Sequence, residues 1–252
     1  NYLTSGRDLL RMQRSQTASK SKSLIVANPT FGAQNSQAGS NTTRKPNKQS
    51  ITATRNLSET YFAPLAGTIQ EARVIQNQFP DAQLLSGESA TETALKSINA
   101  PRILHIATHG FFLENTGVIN AAQNSSSRNA NAKIEAENPL LRSGIALAGA
   151  NKRRNDDPKD DGILTALEAS GLNLRGTKLV VLSACDTGLG EVKNGEGVYG
   201  LRRAFTLAGT ETLMMSLWQV SDYVTRELMT DYYKNLKTGM KRGESLREVQ
   251  LA

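Results

Sequence analysis

The chain has 252 residues, enough for one sizeable α/β domain with its own core or for two small ones. No apolar run approaches the roughly 20 residues that cross a bilayer, and the opening NYLTSGRDLLR lacks the apolar centre of a secretion signal. A net charge of +7 favours acidic partners in principle, but much of it sits in loop-like segments and aromatic residues are only 5%, which argues against nucleic-acid binding.

Short apolar runs alternate with helical patterns along the chain. SLIVA (23–27), AQLLS (82–86), RILHIAT (102–108), SGIALAG (143–149), KLVVLSA (178–184) and TLMMSLW (212–218) read as strands buried on both faces of a parallel sheet. Between them, Leu65, Ile69, Ala72, Ile75 and Phe79 share one helical face, and Ser89 with Glu92 predicts a capping box ahead of ATETALKSI. Val198, Leu201, Phe205 and Ala208 repeat the period and end at Gly209. Val224, Leu228, Tyr232 and Leu236 repeat it again behind Ser221 and Asp222, either of which is a suitable cap. Such alternation predicts an open, mostly parallel sheet with helices on both faces. Residues 28–56, 115–138 and 150–162 are rich in Asn, Ser, Thr, Lys and Asp and read as polar insertions. The chain starts without Met and stops inside the helical pattern GESLREVQLA, so we expect it to be a piece of a longer protein.

Ligands of open α/β sheets collect at the carboxyl ends of the strands. Cys185 directly follows KLVVLSA, and His109 directly follows RILHIAT and precedes Gly110. If the two strands are neighbours, about 4.8 Å apart, thiol and imidazole come within reach of each other. A thiol beside an imidazole at a loop-bound edge yields a reactive thiolate. A cysteine at a strand end also serves simply as a small buried hydrophobe, and the residues alone leave both readings open. With one cysteine no internal disulfide forms, which suits a reducing compartment such as the cytoplasm. His105, inside ILHIA, reads as a core histidine satisfied by a backbone group. The glycines Gly188, Gly190, Gly195, Gly197 and Gly200 do not follow a dinucleotide or phosphate-loop pattern, and Glu191 and Glu196 oppose a phosphate there. Two histidines and one cysteine show no metal-ligand spacing, so neither metal nor cofactor is expected.

HIATHGFF (105–112) and LVVLSACDTGLGEVKNGEGVYGLRRAFTLAGTETLMMSLWQVSD (179–222) resemble the CHAT domain, a caspase-like peptidase domain named for its association with TPR repeats. SGRDLLR, EARVI, SGESATETALK and NPLLRSGIALAGAN resemble the same family, so the likeness covers nearly the whole of 1–252 as one domain outside the insertions. The resemblance implies a caspase-haemoglobinase-like three-layer α/β/α sandwich with a mostly parallel sheet. It implies a cysteine endopeptidase in which Cys185 is the nucleophile and His109 the acid and base, with the amides of Gly110 and Cys185 as oxyanion hole. By the same resemblance the segment after the nucleophile's helix lines the substrate pocket, with Trp218 as an apolar wall, Asp222 at its base and Asp186 assisting, and cleavage follows Arg or Lys. Asp222 also fits a plain helix N-cap, and KRR (152–154) is either a self-processing site, if cleavage follows Arg or Lys, or a solvated loop. Partners implied are a protein substrate and regulators recruited through TPR regions outside this chain, with neither nucleic acid nor membrane. A CHAT-like scaffold without catalysis is the competing expectation.

Overall fold

The computed structural model describes residues 19–33, 60–113, 139–152, 160–184, 196–216 and 221–252. Five strands, β1 (Leu24–Pro29), β2 (Gln83–Gly87), β3 (Ile103–Ala107), β7 (Leu179–Ser183) and β8 (Leu213–Met215), form one sheet in the order β2-β1-β3-β7-β8. Every pairing in it is parallel. Among the described residues no helix is long and apolar enough to cross a membrane.

The central strands are apolar on both faces because helices cover both. Leu24, Val26, Leu104, Ile106, Val180 and Leu182 point into one core with Leu95, Leu201, Ala204 and Phe205. These partners come from α2 (Glu92–Lys96) and α4 (Glu196–Ala208), joined there by α3 (Ala166–Ala169). Ile25, Ala27, Ala107, Leu179 and Val181 point the other way, against Ala72 and Ile75 of α1 (Ala66–Gln78) and Met229, Tyr232 and Tyr233 of α5 (Asp222–Lys237). Leu246 and Val249 of α6 (Arg242–Leu251) close that second core. Helix, sheet, helix is therefore the order of layers, as the alternation predicts.

The run 143–149 departs from that prediction. Residues Ser143–Ala146 form β5, which pairs antiparallel with β4 (Gly110–Phe112) and β6 (Ile163–Thr165) in a separate three-stranded sheet. A short apolar run does not distinguish a parallel from an antiparallel partner, and three-residue strands such as β4 and β6 carry no period of their own. Gly144 fixes the pairing sterically, since a Cβ there would stand 2.7 Å from the Leu164 carbonyl oxygen and 2.8 Å from Cζ of Phe111.

Two helix starts also differ from expectation. Thr91, not Ser89, caps α2, its hydroxyl accepting from the Ala94 amide at 3.0 Å. Ser89 instead closes the preceding turn with Ser86, donating to its carbonyl and accepting from its amide. Ser221 occupies the cap position of α5 without a side-chain cap bond, so Asp222 is the first helical residue. Gly209 ends α4 as predicted, at φ +117°, a conformation open to glycine and costly for other residues.

The insertion boundaries shift as well. Phe31, expected in a polar insertion, is 3% exposed and packs with Phe62, Phe111, Ala146 and Ile163. Ala150 and Asn151, at the start of another, are buried too. Residues 34–56, 115–138 and 153–159 of the expected insertions lie outside the described residues.

Candidate active site

β3 and β7 are direct neighbours, with Ala107 opposite Ser183 in parallel register. His109 stands two residues beyond Ala107, and Cys185 stands two residues beyond Ser183. Cys185 itself lies outside the described residues, as do Asp186 and Trp218, and of Asp222 the backbone alone is described, at the start of α5. His109 and Gly110 are both in place at the carboxyl end of β3.

His109 is 9% exposed and is held on several sides. Its Nε2 lies 2.7 Å from the carbonyl oxygen of Ala63. A carbonyl only accepts, so the bond places a hydrogen on Nε2 and leaves Nδ1 as the basic nitrogen of the neutral ring. The rings of Phe31 and Phe62 stand 5.3 Å and 5.8 Å from the imidazole, centroid to centroid. Ahead of it, Thr108 donates its hydroxyl to the Ala146 carbonyl at 2.6 Å, while the Ala146 amide donates to the carbonyl of His109 at 2.9 Å.

Ala63 is positioned in turn by Asn151. The Asn151 side-chain oxygen accepts from the Phe62 amide at 2.9 Å, and its NH2 donates to the carbonyls of Phe62 and Gly32, each at 2.9 Å. One buried amide therefore fixes both loops that flank the imidazole.

The hydrogen-bonding phase of β4 against β5 leaves the amide of the buried Gly110 outside the ladder. The ladder bonds run from Ala146 to the carbonyl of His109 and from Leu113 to the carbonyl of Arg142. In an antiparallel pair these alternate with non-hydrogen-bonded positions, and Gly110 opposite Ile145 is one of them. The Gly110 N–H accordingly faces away from β5.

Beneath the site lies a second, fully buried polar group. His105 is 0% exposed, with Nδ1 3.0 Å from the Tyr233 hydroxyl and Nε2 3.1 Å from Oε1 of Glu71. The other carboxylate oxygen of Glu71 accepts from Ser183 Oγ at 3.1 Å. His105 is thus a core histidine, as expected, but its partners are side chains of α1 and α5 and not the backbone. Burial, with help from Tyr232 and Glu71, pushes the Tyr233 hydroxyl well above the ordinary phenol range, so it stays protonated.

A family model for the CHAT domain matches residues 1–252, the whole chain. Two similar proteins are both named tetratricopeptide repeat protein 28. The one from Mus musculus is 24% identical over 193 residues and the one from Homo sapiens 24% over 198. Each match covers 75% of this chain and 8% of the relative, so the chain spans under a tenth of the length of these proteins. With its parallel five-stranded sheet between helical layers and a family match from end to end, the chain belongs to the CHAT domain family and has a caspase-like peptidase fold.

Proposed function

We propose that the chain is a cysteine endopeptidase in which Cys185 and His109 form the catalytic dyad. The observation that carries this reading is the register of β3 and β7, which starts the two residues from equivalent positions on adjacent strands. The Ala63 carbonyl supplies the third group, holding the imidazole by Nε2 so that Nδ1 is the nitrogen that takes and gives the proton.

The reaction proceeds as the Cys185 thiol gives its proton to His109 and the resulting thiolate attacks the scissile carbonyl carbon. The Gly110 and Cys185 amides receive the oxyanion. The C–N bond breaks as His109 returns the proton to the departing amine, giving a thioester. Water, deprotonated by His109, attacks that thioester, and the acid product leaves with the thiol restored.

Cleavage follows Arg or Lys, with Asp222 receiving the cation, Trp218 walling the pocket and Asp186 assisting. Asp222 stands at the first residue of α5, on the same side of the sheet as α1. A carboxylate facing a guanidinium makes a charge-assisted, bidentate pair, which is the support for this specificity. Regulation comes through partners bound outside this domain, a reading supported by relatives named for tetratricopeptide repeats, of which this chain matches 8%.

A panel of fluorogenic peptides varied at the residue before the cut tests both claims. We expect turnover of Arg and Lys peptides by the wild type and none above background by Cys185→Ala or His109→Ala, with both variants folded. Turnover that survives either substitution overturns the dyad. Preference for Arg over Ala that survives Asp222→Ala overturns the pocket alone.

A further inference from the structure

We propose that Glu71 is a positioning residue, a buried carboxylate that ties together the two strands from which the dyad projects; this deepens the peptidase reading and rests on it. Glu71 sits on α1 and is 3% exposed. Its Oε2 takes the Ser183 hydroxyl of β7 at 3.1 Å, and its Oε1 lies 3.1 Å from Nε2 of His105 on β3. Both partners lie on the sheet face covered by α1 and α5, so one side chain spans the strand pair.

Tyr233, His105, Glu71 and Ser183 form a line of polar side chains running from α5 through the sheet to the carboxyl end of β7: Nδ1 of His105 meets the Tyr233 hydroxyl, Nε2 stands against Oε1 of Glu71 as a close polar contact, and Oε2 of Glu71 accepts from Ser183. Ser183 is two residues before Cys185, and the next residue, Ala184, is held by its carbonyl to Ser216 Oγ at 2.8 Å.

Glu71 also reaches the His109 side. Thr108, Ser183 and Glu71 line one small recess together with Leu65, Gly67, Thr68 and Thr225, and the room in it, about 10 Å³, suits a single water. A buried carboxylate is costly to desolvate and returns that only through good partners, so an apolar residue would stabilise this core more simply. Its place between the two strand ends that matter supplies the reason for it.

The decisive experiment compares Ser183→Ala and Ser183→Thr with Glu71→Gln and the wild type. For each variant one measures Tm, kcat and KM on an Arg peptide, and the rate at which iodoacetamide alkylates Cys185. Ser183→Ala should lower kcat and the alkylation rate about tenfold while KM stays within about twofold, because the reacting group and not the substrate is misplaced. Ser183→Thr, which keeps the hydroxyl, should recover most of the loss. Glu71→Gln, which keeps an acceptor for Ser183 but turns an NH2 group on His105, should fall between. Wild-type values of kcat and alkylation in Ser183→Ala overturn the proposal, as does a fall in Tm with unchanged kcat in the folded protein. A wild type that turns over no peptide would sink the peptidase reading instead, and the alkylation rates would still decide whether Glu71 positions Cys185.

Discussion

Asn151 makes three hydrogen bonds with its one amide, and all of them end on backbone groups of the loops beside His109. Replacing it by Ala removes those three bonds to main-chain groups, at a cost on the order of 2–3 kcal/mol. Asn151→Ala should therefore lower Tm. At a temperature where it is still folded, it should also lower kcat by about tenfold, as the Ala63 carbonyl loses its aim at Nε2. Equal kcat in the folded variant would show that Ala63 keeps its place without help. At this scale the sequence is legible where chemistry is carried by residue type. His109 and Cys185 stand out because each follows a strand run directly, and Gly110 because it follows His109. The Ala63 carbonyl does not, since a backbone acceptor has no residue type to announce it. Glu71 is equally silent, because its two partners come from strands far along the chain and only the fold brings them together.

Among the elements, α2 and α3 are joined by charge. Lys96 of α2 is paired with Glu92 on its own helix and donates to Glu168 of α3 at 2.9 Å. Glu92 is fully buried, and desolvation pushes its carboxyl from 4.5 up to about 7 despite the lysine. The folded chain thus holds this proton more tightly than the unfolded chain does. Its contribution is complete below about pH 4.5 and is lost as the pH rises through about 7. Relative to Glu92→Gln, the wild type should lose on the order of 1–2 kcal/mol between pH 5 and pH 8, read as a Tm difference that widens with pH. A gap that stays constant over that range would refute the assignment. Gly144→Ala addresses the small sheet, where the added methyl meets both Phe111 and the Leu164 carbonyl. We expect a loss of roughly 1–3 kcal/mol together with lower peptidase activity, since β4 begins at Gly110. Helix periods are legible here and their caps less so: Thr91 and Ser89 both offer a hydroxyl near the helix start, and only the turn at Ser86 decides which one caps.

For the molecule as a whole, layering was readable from the alternation of apolar runs and helical periods, and the division into two sheets was not. Strands buried on both faces look alike in sequence whichever sheet receives them, and the strand order β2-β1-β3-β7-β8 is set by crossovers that leave no local mark. The far end of the chain is bound into this architecture. Arg242 of α6 donates to the Lys178 carbonyl ahead of β7 and pairs with Glu211 ahead of β8, Ser245 donates to the Tyr232 carbonyl at 3.0 Å, and Leu246 and Val249 pack on the second core. Removing residues 241–252 should expose that core beside Tyr232 and Tyr233 and lower Tm by several degrees. Faster hydrogen exchange in α5 should accompany it. An unchanged Tm would mean that α6 is an accessory to the sandwich and not part of it.

The bond from His109 to Ala63 has a consequence for how such a site tolerates change. Because the acceptor is a main-chain oxygen, every amino acid at position 63 that keeps the backbone path presents the same group to the imidazole. A saturation library read out by activity would then register His109 and Cys185 at their own positions but leave position 63 silent, although by the proposed mechanism three groups act on the proton. The third would reveal itself at a distance, as intolerance at Asn151.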